Sequence, residues 1–344
     1  MRLLIITQKA DIRDSNLGFF HRWLEKFAQK LDKAYVVCLS EGEHLLPHKV
    51  KVYSLGKEKG FSKARQFLIL QRILLKHLKE IKGVFVHMCP IYAMVSTPLI
   101  KLFRKKIILW YAHSSVNPTL KIAEKCVDKI LTASPESCRL ENRAKIEVIG
   151  HGIDIELFKP KNKANEANKK FKILSPGRIS PIKDQKTLVK AMDILVNKMD
   201  IKDIKLQFAG SPIEDYEKEY SGQLKDLVQE KKLGNYIEFL GGILYKDMPQ
   251  YYQNSDLVLN LSLTGSIDKV VLEAMASGNL VLTCNDSFVN ILDNKYLFKK
   301  KDPQDLAEKI INLRRAKRDE SLREIVIRNH SLDDLIDKVI SRFL

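Results

Sequence analysis

Residues 171–184 read FKILSPGRISPIKD: a short apolar run, a Pro-Gly turn, then Arg178 and Lys183 five positions apart, ahead of a helical pattern. Two cations at the carboxyl end of a buried strand suit a diphosphate, the arginine by a forked contact and the lysine as a point charge. The same residue types also make ordinary surface cations in a basic chain. A second candidate lies at 257–279. Leu257, Val258 and Leu259 read as a buried strand, Thr264-Gly265-Ser266 as a turn, and Val270 to Met275 as a helix ended by Gly278. A turn feeding a helix N-terminus aims backbone N–H groups and the helix dipole at an anion. Glu273 falls about one and a half turns into that helix, too deep to cap it. Its carboxylate is either solvated or an acceptor for hydroxyls such as those of a ribose.

Other positions offer weaker chemistry. Gly210 and Gly241 end two apolar runs, where a missing side chain lets backbone approach a base or a phosphate. Gly18 opens a helical pattern after the first strand, where glycine lets the loop reach donor phosphates or an acceptor, with His21 on the helix as a surface residue. His113 follows the run 107–110 at a strand's carboxyl end, either lining a site or serving as a structural hydrogen bonder. His151-Gly152-Ile153-Asp154 reads as a hinge. Tyr251 and Tyr252 read as packing residues. His87 and Cys89 have no partners at ligand spacing, so no metal is expected.

These residues need elements to hold them. In the first half, strands are expected over 3–7, 35–39, 51–53, 84–87, 107–110, 129–131 and 145–149, with helices over 19–31, 64–81, 91–103 and 135–142. In the second, the alternating series runs 171–175, 187–197, 204–209, 216–231, 236–240, 247–253, 257–261, 269–277, 280–283, 296–298 and 306–315, closed by a helix over 331–343. Such alternation is the mark of doubly wound parallel sheets, which bind ligands beyond the carboxyl ends of their strands. The polar stretch 161–170 reads as a linker. Three segments follow: 1–155, 156–328 and a last helix, 329–344, returning to the first domain. A cleft between two domains is the default place for a ligand.

The 344 residues carry a net charge of +17, with +13 in residues 1–160 and +4 in the rest. A basic first half implies an anionic partner. No nucleic-acid motif or aromatic stacking platform accompanies it, which favours a membrane surface or phosphorylated substrate over nucleic acid. The stretch 60–82 sets Phe67, Leu70, Leu74, Leu78 and Ile81 among six Lys and Arg; it either lies on anionic lipid or covers the sheet with a solvated basic face. Five scattered cysteines without a Cys-x-x-Cys pair suggest reduced thiols in the cytoplasm. The opening MRLLIITQKAD reads as a first strand, and 84–100 as a buried strand and buried helix, not a membrane span.

Val271-Leu272-Glu273-Ala274-Met275-Ala276 resembles the signature helix of the retaining nucleotide-sugar glycosyltransferases, the glycogen-synthase-like group 1 (family 4). Arg178 and Lys183 resemble that family's Gly-Arg-x5-Lys element. The resemblance implies an α/β GT-B architecture, two Rossmann-like doubly wound domains facing a central cleft. It implies transfer of a sugar from a nucleotide-diphosphate sugar to a glycan or lipid-linked acceptor in cell-envelope synthesis. It further implies Glu273 on the ribose, Arg178 and Lys183 on the diphosphate, N–H groups of Ser266, Ile267 and Asp268 on sugar or phosphate, and His113 by the anomeric carbon. No metal and no cofactor are required. The first half of the signature departs: Gly265 stands in the place of the first glutamate. Asp268 either fills that space or serves as a helix N-terminal charge. An epimerase or hydrolase of nucleotide sugars, or a non-catalytic binding protein, is the competing class.

Overall fold

A computed structural model describes residues 1–161 and 170–344. Most of the stretch read as a linker, 162–169, lies outside the described residues. The chain divides into two compact units, Met1–Gly152 with Ser331–Leu344, and Ile153–His330.

The first unit runs β1 (Arg2–Ala10), α1 (Phe19–Lys30), β2 (Lys33–Glu41), β3 (Val50–Ser54), α2 (Lys63–His77), β4 (Gly83–His87), α3 (Pro90–Leu102), β5 (Lys106–Trp110), α4 (Pro118–Cys126), β6 (Lys129–Thr132) and β7 (Ile146–Val148). The strands form one parallel sheet in the order β3-β2-β1-β4-β5-β6-β7. Leu3 to Ile6 and Val84 to Val86 are fully buried, as expected of parallel strands covered on both faces.

The second unit runs β8 (Phe171–Pro176), α5 (Gln185–Asp193), β9 (Ile204–Ala209), α6 (Asp215–Glu230), β10 (Ile237–Gly241), α7 (Met248–Gln253), β11 (Leu257–Asn260), α8 (Lys269–Ala276), β12 (Leu280–Thr283), α9 (Pro303–Arg314) and α10 (Glu320–His330). Its sheet is parallel in the order β10-β9-β8-β11-β12. Gly278, with φ +75°, ends α8, and its N–H donates to the Met275 carbonyl at 3.0 Å.

Several elements differ from expectation. The segment 135–142 makes only a single turn at Pro135–Ser137 before Cys138 becomes extended. Arg143 supplies the reason: its guanidinium donates to the Cys138 carbonyl at 2.9 Å, taking an acceptor a helix would use. Helix α4 was not expected, although Asn117 accepts from the Leu120 N–H at 2.8 Å and Pro118 follows it, a start signal present in the sequence. Helix α10 was not expected either. Residues 296–298 contribute one bridge, Leu297 to Thr283, and no strand. Helix α3 is half-exposed rather than buried, with Ile91 and Leu102 outward.

The last helix, α11 (Leu332–Ser341), packs against α1 within the first unit. Arg342, just past its end, grips Glu147 in the middle of β7, with Nε donating to Oε1 at 2.9 Å and Oε2 at 3.1 Å. The Arg342 and Lys129 contacts hold the Glu147 carboxyl down at about 2, against an ordinary value of 4.5. A depressed carboxyl stabilises fully above its unfolded pKa, and that contribution is lost as pH falls through its folded one. Protection of the α11 amides, taken relative to their intrinsic exchange rate, should therefore fall as pH drops from about 4.5 towards 2. The same pH step should have little effect on α11 in Arg342→Ala.

Candidate functional site

In each sheet, the chain leaves two neighbouring strands in opposite directions, between β1 and β4 and between β8 and β11. Loops at the carboxyl ends of such strands form the crevice where α/β sheets hold ligands. In the second unit those two loops are the ones carrying Arg178 with Lys183, and Gly265 with Asp268. Leu263 N–H donates to the Ile182 carbonyl at 3.0 Å, joining them.

Lys183 is brought directly onto the signature segment. Its ammonium lies 2.9 Å from Asp268 Oδ1 and 3.1 Å from Ser262 Oγ. Asp268 precedes α8 but makes no capping hydrogen bond with its side chain. Instead its second oxygen accepts from Asn285 Nδ2 at 3.1 Å. Burial pushes the Asp268 carboxyl up; the Lys183 charge and the hydrogen bonds from Lys183, Ser262 and Asn285 outweigh it and hold the group below its ordinary value. Asp268 is thus a largely buried ion-pair partner, and its role as a helix N-terminal charge is secondary.

Arg178 has its own carboxylate. Its Nη1 lies 3.2 Å from Glu217 Oε1, and its carbonyl accepts from Gln185 Nε2 at 2.8 Å. Glu217 is fully buried in the first turn of α6, where it also accepts the Ile213 and Glu214 N–H groups at 2.8 and 3.2 Å. Burial raises the Glu217 carboxyl, but those N–H groups and Arg178 bring it below its ordinary value. Gly210 packs against the loop that carries Arg178: an added Cβ would stand 2.0 Å from the Gly177 carbonyl oxygen. Gly210 is bridged to Gly241 on the next strand, and its lack of a side chain serves first to seat the loop.

Glu273 is buried, not solvated. Tyr252 Oη donates to its Oε2 at 2.9 Å, while Oε1 has no hydrogen-bond partner among the described residues. Lys269 Nζ stands 4.0 Å from Oε1 and 5.4 Å from the centre of the Tyr245 ring. Burial raises the Glu273 carboxyl, opposed by Lys269 and Tyr252, and the net direction is upward. Burial likewise lowers the Lys269 ammonium, opposed by Glu273 and Asp268. Burial also pushes the Tyr252 phenol well up. Tyr252 is more than packing, since its hydroxyl fixes one oxygen of the carboxylate and leaves the other unused.

Gly265 has φ +65°, in the left-handed region where a side chain is strained, so the turn itself favours glycine over glutamate. The turn is held from the segment after β12. Ser287 Oγ donates to the Gly265 carbonyl at 2.9 Å, and Asn285 Nδ2 to the Ser266 carbonyl at 2.6 Å. Ser266 and Ile267 are buried within it. Sequence reasoning missed Ser262, Lys269, Asn285 and Ser287, together with Glu217. Only Lys269 carried a signal, at i, i+4 from Glu273.

Gly18 and His113 belong to the first unit. Gly18 N–H donates to the Asp14 carbonyl at 2.9 Å and leads into α1, in the loop after β1 at that sheet's switch point. His113 is exposed beyond β5, and its Nδ1 accepts from the Ser115 N–H at 3.0 Å. His21 is not a surface residue. It is buried, its Nε2 accepting from Leu45 N–H at 3.1 Å and its Nδ1 lying 3.2 Å from Glu25. The described residues contain no group of three metal-ligating side chains placed to hold an ion. A groove of about 490 Å³ lined by Pro181, Asp184, Lys186, Tyr220 and Lys301 excludes Arg178, Lys183, Asp268 and Glu273.

Comparison with known proteins fits this geometry. The family described as glycosyl transferases group 1 matches residues 154–331. A D-inositol 3-phosphate glycosyltransferase of Paenarthrobacter aurescens (strain TC1) is 24% identical over 149 residues, 41% of this chain and 35% of the relative. The match therefore spans about a third of that relative's length. HepE of Anabaena, solved with UDP, aligns with a TM-score of 0.77 at 16% identity, covering 99% of both chains. Sucrose-phosphate synthase from Thermosynechococcus elongatus aligns at 0.75 and 16%, covering 99% of this chain and 98% of the other. A glycosyltransferase from Rickettsia africae ESF-5 aligns at 0.74 and 18%, covering 99% and 97%. The fold they share with this chain is GT-B.

Proposed function

The chain belongs to the glycosyl transferases of group 1, and we propose that it moves a sugar, with retained anomeric configuration, from a nucleotide-diphosphate sugar to a glycan or lipid-linked acceptor of the cell envelope. The observation that carries this reading is the buried Glu273 carboxylate. One oxygen is fixed by Tyr252 and the other has no hydrogen bond among the described residues, on the helix that follows Asp268, the partner of Lys183. A buried acceptor left unmade is costly, and a ribose hydroxyl would satisfy it.

Arg178 and Lys183 hold the donor diphosphate in this proposal. Each is already aimed by a carboxylate, Glu217 and Asp268, so its position is set before the donor arrives. As the bond between the anomeric carbon and the diphosphate oxygen breaks, charge builds on the diphosphate, and these preoriented cations stabilise it. Protein cations thus take the part of a metal, and no cofactor is invoked. The acceptor hydroxyl attacks from the leaving-group side, and a donor phosphate oxygen takes its proton. Gly18 of the first unit is assigned to the donor phosphates or the acceptor, and His113 to the sugar. The free thiols of all five cysteines agree with a reducing, cytoplasmic setting.

The test uses UDP-glucose first, since HepE is known in complex with it, then GDP- and ADP-sugars, with a panel of glycan and lipid-linked acceptors. Product formation that needs an acceptor, keeps the donor's anomeric configuration by NMR and persists in EDTA is the expected result. An inverted product, or sugar release with no acceptor, would reject the mechanism.

A further inference from the structure

Helices α2, α3 and α4 lie side by side on one face of the first sheet, joined to its core through Leu70, Leu74, Ala93, Ile100, Leu120 and Ala123. Hydrogen bonds lock the first two together: Tyr92 Oη to Gln66 Oε1 at 3.1 Å, and Gln71 Nε2 to the Val95 carbonyl at 3.1 Å. A helix layer on a soluble domain ordinarily turns a polar face of mixed charge outward. This layer does not. Residues 60–128 hold twelve Lys and Arg against three acids, Glu80, Glu124 and Asp128, which is +9 of the chain's +17. Asp128 pairs with Lys101. Glu80 is occupied by Arg2 and Tyr35, both at 2.8 Å, and by His77 at 2.7 Å.

Large aliphatic side chains stand exposed among those cations. Leu68 and Leu75 on α2 are 54% and 52% exposed, and Ile91 and Leu102 on α3 are 51% and 74%. Seven and eleven residues are close to two and three helical turns, so each pair lies along one side of its helix. Lys63, Arg72 and Lys76 are exposed on α2 beside them, and Lys101 and Arg104 at the end of α3.

We propose that the outer face of α2 and α3 docks on an anionic lipid bilayer, its aliphatic side chains entering the headgroup boundary and its Lys and Arg meeting acidic headgroups. Charge complementarity selects an anionic occupant, and the aliphatic side chains select lipid among anionic occupants. Nucleic acid would answer the charge, but exposed leucine and isoleucine give its bases no stacking platform. This face belongs to the first unit and shares no residue with the proposed donor site, so the proposal stands independently of the transfer reaction.

The test is co-sedimentation of the full chain with vesicles of phosphatidylcholine alone or with phosphatidylglycerol added. Wild type should pellet with the anionic vesicles only. Lys63→Gln with Arg72→Gln and Lys76→Gln should weaken that partitioning roughly 100-fold. Leu68→Ser with Leu75→Ser should weaken it roughly tenfold or more. All five side chains are exposed, so circular dichroism and melting temperature should not change. No pelleting, or equal pelleting on neutral and anionic vesicles, would overturn the proposal. So would loss in the charge variant with none in the leucine variant, the pattern of a general polyanion binder.

Discussion

Lys183→Ala lowers the rate of transfer by roughly 10²–10³-fold, the effect of removing one preoriented group from developing charge. It also destabilises the second unit by about 3 kcal/mol, because Asp268 is left buried without its cation. The two effects separate. Adding Asp268→Asn removes the orphaned charge while keeping the Asn285 side of the network able to hydrogen-bond, so the double variant regains most of the lost stability. It does not regain transfer. Thermal unfolding and donor turnover, measured on both variants, check this. If Asp268→Asn restored turnover as well as stability, Lys183 would be a structural cation with no part in the chemistry.

Replacing the second ion pair should act in the opposite sense on stability. Glu273 is held out of water and Lys269 largely so, and exchanging such a pair for uncharged residues of similar size is often stabilising. Lys269→Met with Glu273→Gln should therefore raise stability by about 2 kcal/mol, and weaken donor binding roughly 100-fold through the loss of charge-assisted hydrogen bonds to the ribose. The pH dependence distinguishes the cause. A carboxyl whose folded pKa is raised makes the folded state lose stability as pH rises through the window above its ordinary value. The stability gap between variant and wild type should then widen as pH increases from about 4.5, the ordinary value for Glu273. A constant gap would show that packing, not burial of the charge, sets it.

The two elements proposed to build the donor site were legible because each is local. A strand, a turn and two cations within residues 171–184, and a strand, a turn and a helix within 257–279, carry their own periodicity and punctuation. What holds them was not legible. Glu217 meets Arg178 from 39 positions away, and Asn285 and Ser287 reach back across α8 and β12 to fix the turn at Gly265. Such contacts depend on β8 lying beside β9 and β11 beside β12, pairings that hydrophobic periodicity does not specify. The burial of Glu273 had the same origin: its position on α8 could be read, but not that Tyr252 would close over it. His21 looked exposed for want of knowing that Leu45 N–H covers its ring. Helix α4, by contrast, was announced by Asn117-Pro118 and passed over.

The central claim is that Lys183 and Glu273, with their partners, form one donor site in the second unit. Calorimetric titration of UDP-, GDP- and ADP-sugars into three proteins tests it most directly: wild type, Lys183→Ala with Asp268→Asn, and Glu273→Gln with Lys269→Met. The account predicts that wild type binds one nucleotide class and that both variants, folded and at least nearly as stable, lose roughly 100-fold or more of that affinity. Wild-type affinity retained in both folded variants would place the donor elsewhere and contradict it.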